Sequence, residues 1–251
     1  MRETDFIGGF AKGLRVIEAF GEAKPRLTIT DVSKDTGLDR ATARRCLLTL
    51  AELGYAAYDG KFFELTPKIL RLGHAYLSAT PLPVLVQPYL DQLSEKVGQS
   101  ASASVLDGTE IVYVARAAQK RVMSINLMPG SRLPAYCASM GRVLLAALPE
   151  AEARSIIEAS ERRPNTSFTK TEPDALMDEL ARVRRQGYAV IDQELELGLR
   201  SIAVPLENAR GRVVAALNIG APAAHAAADD MVEHYLPAMR EVQAALRPVL
   251  A

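Results

Sequence analysis

The sequence predicts an α+β chain with an N-terminal winged helix-turn-helix, a linker helix and a C-terminal sensor domain with an antiparallel sheet. Three observations carry this. Between Leu27 and Leu65 a capped helix, a glycine turn, a second capped helix and a hairpin follow one another. Lys68–Ser78 then has the apolar pattern of a connecting helix, ended by Thr80-Pro81-Leu82-Pro83. Beyond it, strand patterns group at both ends around inserted helices, which fits an antiparallel sheet better than parallel βαβ units. The expected boundaries are 1–66 for the winged helix, 67–82 for the linker and 83–251 for the sensor domain.

The first helix of the pair is expected to begin near Thr30, whose hydroxyl can cap free amides, with Asp31 adding favourable charge at that end. Gly37 supplies the left-handed residue of the turn, and Asp39 caps the second helix. Ala43, Leu47 and Leu50 form that helix's packed stripe, with Cys46 and Leu53 beside it. Arg40, Ala41, Thr42, Arg44 and Arg45 are assigned to the opposite face. Tyr55–Tyr58 and Phe62–Leu65 form a two-stranded wing around the favoured Asp59-Gly60 turn.

This layout suits a DNA major groove. Arginine forks hold guanine or phosphate bidentately, Thr42 reaches a base edge or phosphate, and Ala41 lies against a thymine methyl. Lys61 in the wing is placed on a phosphate. The plainer reading is a protein-contact module whose arginines are a solvated face. The charge is modest: the whole chain balances 30 basic against 30 acidic residues, and residues 1–80 carry twelve against ten. Binding to double-stranded operator DNA should therefore need two copies presenting two recognition helices.

Composition narrows the rest. At 251 residues and 49% hydrophobic content the chain can bury a sizeable core. No apolar run is long enough for a membrane span, the segment MRETDFIGGF lacks a signal-peptide core, and a cytoplasmic location without membrane contact is expected. Cys46 and Cys137 make neither a disulfide framework nor a zinc spacing. In the second half, a helix is expected at Val84–Val97. Strands follow at Ser100–Leu106, Ile111–Ala117 and Val122–Leu127, then an apolar helix at Cys137–Leu148. Helices near Ala151–Ala159 and Asp174–Gln186 precede strands at Tyr188–Ile191, Ser201–Leu206 and Val213–Ile219, and a helix near Asp229–Leu246 closes the chain.

FAKGLRVIEAFG, GLDRATARRCLLTLAELGY and LTPKILRLGHAYL, with GSRLPAYCASMGRVLLAAL and GYAVIDQELELGLRSIAVPL, resemble the IclR family of bacterial transcription factors over nearly the whole chain. YCASMGRVLLA and DQELELGLRSIAVPL are most similar to its subgroup regulating protocatechuate, 4-hydroxybenzoate and β-ketoadipate catabolism. The resemblance implies a six-stranded GAF/PAS-like effector domain, a homodimer or dimer of dimers, and a small organic acid as effector. An aromatic acid or a β-ketoadipate-like acid is expected, with RNA polymerase as a further partner if the protein activates. No cofactor and no metal are implied. Position by position, the ligand turn falls on Ser139, Met140 and Gly141, polar contacts on Ser201 and Asn218, and apolar walls on Val122, Ile125, Leu133 and Leu199. The turn also has a physical reason, because helix N-termini favour carboxylates. An acidic pocket position of glyoxylate- and pyruvate-sensing relatives falls on Ile191, and a serine of theirs on Gly220. Both changes suit a larger, less polar acid, with a glyoxylate- or pyruvate-type pathway as the alternative.

Other candidates have plainer readings. Arg200 can hold a ligand carboxylate or form a structural ion pair. Glu194 and Glu196 read as loop anchors or solvated charges rather than an acid/base pair. Cys137 lacks a histidine motif, so a hydrolase with an auxiliary winged helix is the weaker reading and no catalytic residue is assigned. His225 and His234 read as surface residues, and Arg182, Arg184 and Arg185 as a solvated helix face.

Overall fold

A computed structural model of the chain describes residues 6–21, 24–79, 81–119, 127–224 and 228–250. It divides into two compact units, Met1–Thr80 and Pro81–Ala251.

In the first unit, α1 (Gly8–Glu18) precedes the helix-turn-helix of α2 (Ile29–Thr36) and α3 (Arg40–Glu52). The cap of α2 is Thr28, not Thr30. Its hydroxyl accepts the Asp31 N–H, and the Asp31 carboxylate accepts the Thr28 N–H at 2.9 Å, a reciprocal capping box. Thr30 lies inside the helix because a box needs its partner three residues on, and only Thr28 has Asp31 there. Gly37 takes the left-handed conformation at φ 70°, and the Asp39 carboxylate accepts the Thr42 N–H at 2.8 Å. Both turn expectations hold. The wing is a three-stranded sheet rather than a two-stranded one. Strand β1 (Arg26–Leu27) pairs antiparallel with β3 (Phe63–Leu65), which pairs with β2 (Ala56–Tyr58). Two residues were too short to show an alternation. Val16, Leu27, Val32, Ala43, Leu47, Leu50 and Phe63 form this unit's core. A 3-10 turn at Pro67–Ile69 leads into α4 (Leu70–Ala79).

The second unit opens with α5 (Leu82–Val97). Its sheet comprises β4 (Ser100–Asp107), β5 (Glu110–Ala117), β6 (Arg132–Pro134), β7 (Ala189–Asp192), β8 (Leu199–Glu207) and β9 (Val213–Pro222). The strand order is β6-β5-β4-β9-β8-β7 and every pairing is antiparallel, as the grouping of strands predicted. The expected Val122–Leu127 strand lies outside the described residues except for Leu127, which is not in a strand; β6 was not anticipated. The apolar Cys137–Leu148 segment divides into a 3-10 turn (Ala135–Cys137) and α6 (Ser139–Ala146). Helices α7 (Glu150–Ala159), α8 (Pro173–Gln186) and α9 (Ala228–Leu246) complete the unit.

The two sheet faces differ in chemistry. One carries Ala101, Ala103, Ile202, Val204, Leu217 and Ile219 against Leu90 and Leu93 of α5 and Met239 of α9. The other faces α6 and α8, and there the alternation of Ser100-Ala101-Ser102-Ala103-Ser104 turns buried serines inward. That is the reverse of an ordinary half-buried strand, whose polar residues meet water. A polar sheet face covered by helices needs partners for its polar atoms.

Candidate functional site

Within the second unit, the polar sheet face and the start of α6 border a narrow cavity of about 30 Å³, partly open to solvent. Leu133, Ser139, Met140, Leu199, Ser201 and Asn218 all line it, among the residues expected there. Ser100, Ile111, Tyr113, Arg116, Leu127, Cys137, Ala138, Leu195 and Gly220 complete the wall. Val122 and Ile125 lie outside the described residues.

Two expected positions are absent from the lining. Gly141 is a packing residue. A Cβ there would lie 2.6 Å from the carbonyl carbon of Ala135 and closer still to that residue's oxygen and Cα. Only glycine lets α6 seat against the preceding turn. Ile191, on the edge strand β7, pairs with Ser201 and so shares its sheet face, but it lies one strand further out, buried and not part of the lining.

Strand register explains the floor. Ser102 stands opposite both Arg116 of β5 and Asn218 of β9, making one polar rung. Ser100, Gly220 and Ser201 make the next, roughly 7 Å away on the same face. Arg116 reaches this face through a β-bulge. Ser104 opposes Tyr113 while Ala103 opposes Ala115, so Val114 is the extra residue. Ile111 and Tyr113 face the cavity before the bulge, Ala115 and Ala117 face the opposite core after it, and Arg116 turns inward. Regular alternation would have put Arg116 on the other side, which is why the sequence did not reveal it.

The cavity is electropositive at two places. The Arg116 guanidinium donates to Ser102 Oγ at 2.9 Å, and no carboxylate pairs with it among the described residues. Burial draws its pKa below the ordinary arginine value; an arginine nevertheless stays charged. Tyr113 is itself pushed up to about 12 by burial and remains a neutral phenol. The second place is the N-terminus of α6, whose opening turn has neither a side-chain cap nor an acidic residue. Ala138, Ser139 and Met140 of that turn stand in the wall. Asn218 Oδ1 is buried without a hydrogen-bond partner among the described residues, an acceptor open to a donor from a ligand.

Arg200 is engaged elsewhere. Its Nε donates to Asp192 Oδ1 at 2.7 Å and its Nη1 to the Ala223 carbonyl at 2.7 Å, so it ties β8 to its neighbours. Burial pushes the Cys137 thiol up to about 11, too high for a nucleophile at neutral pH. Glu194 is a buried loop anchor paired with Arg142. Arg184 is not merely solvated: it donates to the Ala146 and Leu148 carbonyls at 2.8 and 3.0 Å. No metal-holding cluster occurs among the described residues, and His225 lies outside them.

In the first unit, Arg40, Ala41, Arg44 and Arg45 are exposed on α3. Thr42 is not: it is 6% exposed, and its hydroxyl accepts from Arg45 Nη2 at 3.3 Å. As third residue of the helix it turns back toward α1, a quarter-turn from the free face. Arg45 borders the groove between α1 and α3 that Phe10, Leu14, Leu53 and Leu72 also line. At the wing tip, Asp59 accepts the Lys61 and Phe62 N–H groups, while the Lys61 ammonium lies 4.9 Å from the Phe62 ring centre. Arg26 pairs with Asp59.

A winged helix joined to a cavity-bearing antiparallel sheet defines a two-part regulator. The IclR helix-turn-helix domain matches residues 10–60, and the bacterial transcriptional regulator IclR C-terminal domain matches residues 74–247. The Pca regulon regulatory protein of Pseudomonas putida is 46% identical over 236 residues, 94% of this chain and 81% of that protein. A candidate transcriptional regulator from Rhodococcus sp. RHA1 superposes with a TM-score of 0.80 at 46% identity, covering 95% of this chain and 96% of that one. The inducer-binding domain of an Acinetobacter PobR double mutant, solved with 3-hydroxybenzoic acid, gives 0.63 at 32% identity, covering 67% and 98%. The chain belongs to the IclR family of bacterial transcriptional regulators.

Proposed function

We propose that this regulator controls aromatic-acid catabolism by binding a hydroxylated aromatic carboxylate in the cavity of its second unit. One observation carries the reading: Arg116 and the uncapped start of α6 converge on a cavity whose wall combines the apolar Ile111, Leu127, Leu133 and Leu199 with the polar Ser100, Ser201 and Asn218. A carboxylate satisfies the cationic end, a ring fills the apolar belt, and a ligand hydroxyl can donate to Asn218 Oδ1. The hydroxybenzoate complex of PobR and the Pca regulon name of the Pseudomonas relative point the same way.

Arg40, Ala41, Arg44 and Arg45 of α3 would read operator DNA, with Lys61 on a phosphate. The exposed Phe10, Leu14, Leu53 and Leu72 border one groove and offer an apolar face to a second copy, which supports a dimer as the working form; a DNA-binding regulator of this kind would act in the cytoplasm. Effector binding to 83–251 then favours one of two dimer arrangements through its higher affinity for it.

The test is calorimetric titration of the full chain with protocatechuate, 4-hydroxybenzoate, benzoate and glyoxylate. The two hydroxylated aromatic acids should bind more tightly than benzoate. Arg116→Met should weaken them about thirtyfold, the roughly 2 kcal/mol of a charge-assisted hydrogen bond. Binding of glyoxylate alone, or full affinity in Arg116→Met, overturns the reading.

A further inference from the structure

A buried ion pair behind the cavity plays no part in that reading. Arg142, in the second turn of α6, is 1% exposed. Its Nη2 lies 2.6 Å from Glu194 Oε2, and its Nε donates to the Tyr136 carbonyl at 3.0 Å. The same Glu194 oxygen accepts the Lys170 N–H at 2.9 Å. Thr169 Oγ1 donates to the Glu194 carbonyl at 2.6 Å, and Thr166 Oγ1 to that of Gln193 at 2.7 Å. Gln193 is held at φ 58°, a left-handed conformation rare outside glycine. Neither Arg142 nor Glu194 lines the cavity, but their chain neighbours do: Met140 two residues before Arg142, Leu195 directly after Glu194, and Cys137 directly after Tyr136.

We infer that Arg142 and Glu194 are a positioning pair for the effector site, fixing the start of α6 against the 193–198 loop so that Met140 and Leu195 stand at ligand-contact distance. The inference rests on the cavity being the effector site. Stability alone does not call for ions here, because removing two charges from water costs several kcal/mol and an apolar pair often replaces a buried ion pair without loss. An apolar pair lacks direction. The guanidinium fork and the carboxylate fix the angle as well as the distance between the segments they join. Three separate pieces of chain meet at these two side chains: the 135–137 turn, the 193–198 loop and the 166–170 segment.

Single substitutions would strand a buried charge, so the test uses the neutral double variant Arg142→Met/Glu194→Gln, which keeps an acceptor for the Lys170 N–H. In the full chain it should melt within a few degrees of the unmodified protein and bind operator DNA as before. Its affinity for 4-hydroxybenzoate should nevertheless fall at least tenfold, and Arg142→Lys with Glu194 intact should recover part of it. Wild-type affinity in the folded double variant overturns the inference. Should the double variant fail to fold, Thr169→Val, which releases the loop without touching either charge, should weaken the same titration about threefold; unchanged affinity overturns the inference equally. Arg116→Met is measured alongside. Loss there with no loss in the double variant refutes the positioning pair alone, and no loss in either refutes the cavity reading as well.

Discussion

Gly141→Ala tests the packing of α6 against its preceding turn most directly. The added Cβ would meet three backbone atoms of Ala135, the carbonyl carbon at 2.6 Å. Ordinary van der Waals contact begins near 3.4 Å, so one wall must retreat by close to an ångström. No flexible side chain can yield in its place. Two effects oppose. Alanine gains up to about 1 kcal/mol of helix propensity over glycine. Overpacking costs about 1–3 kcal/mol, and a collision with main chain belongs at or above the upper end. The clash wins by roughly 2 kcal/mol. For a domain of this size that lowers the melting temperature by about 4–8 °C. Thermal unfolding followed by circular dichroism, with the winged helix as internal reference, measures it. Effector affinity should fall too, because Ala138–Met140 must move with the turn. A melting temperature equal to or above that of the unmodified chain would show that the 135–137 turn yields freely, and would refute the reasoning.

Three further outcomes are expected. In a labelled-promoter shift assay, Arg40→Ala/Arg44→Ala should abolish the specific complex while leaving 4-hydroxybenzoate binding intact; a retained specific shift removes α3 as the reading helix. Cys137, protonated up to about pH 11, should react with a thiol reagent at pH 8 only at the rate of unfolding, and fast labelling of a Cys46→Ser variant would contradict its burial. Because the unfolded thiol ionises near 9.0, its contribution to stability is complete below that pH and is lost as pH rises toward 11. Asp192 runs the opposite way. Its hydrogen bonds from Arg200 hold its pKa below the ordinary 3.8, so its contribution is present above that value and disappears as pH falls through the depressed one. Asp192→Asn should therefore destabilise at pH 7 and not at pH 2, and equal loss at both would rule the ion pair out as the cause.

The DNA-binding half was legible because its signals are local. Gly37, Asp39 and the Asp59-Gly60 turn each act within a few residues, and each occurs where the sequence implied. Thr28 and Thr30 are both possible caps by residue type, and only the position of Asp31 three residues after Thr28 distinguishes them. Thr42 departs from the exposed face because its angle on the helix, not its residue type, decides its burial. The effector half was legible in its alternating strands, and six expected positions do stand in the cavity wall. Gly141 went unrecognised as a packing residue because its neighbour Ala135 meets it through a turn that no periodicity describes. Arg116 was invisible for a sharper reason: its direction depends on a register shift against β4, which belongs to the pairing of two strands and to neither alone. The serine alternation at 100–104 does carry a signal, since buried serines facing a helix layer indicate a wetted or ligand-filled face.

The bulge at Val114 has a consequence for retuning this protein. It makes position 116 the inward address on the far half of β5, while 115 and 117 deliver their side chains to the apolar layer under α5 and α9. An acidic or aromatic group placed at 116 would change the sign or shape of the chamber and leave every rung of backbone hydrogen bonds as it stands. The same group at 115 or 117 would be forced into packed hydrocarbon. Cavity wall and packed core thus lie on opposite sides of one strand, and a single extra residue decides which side each later side chain falls on.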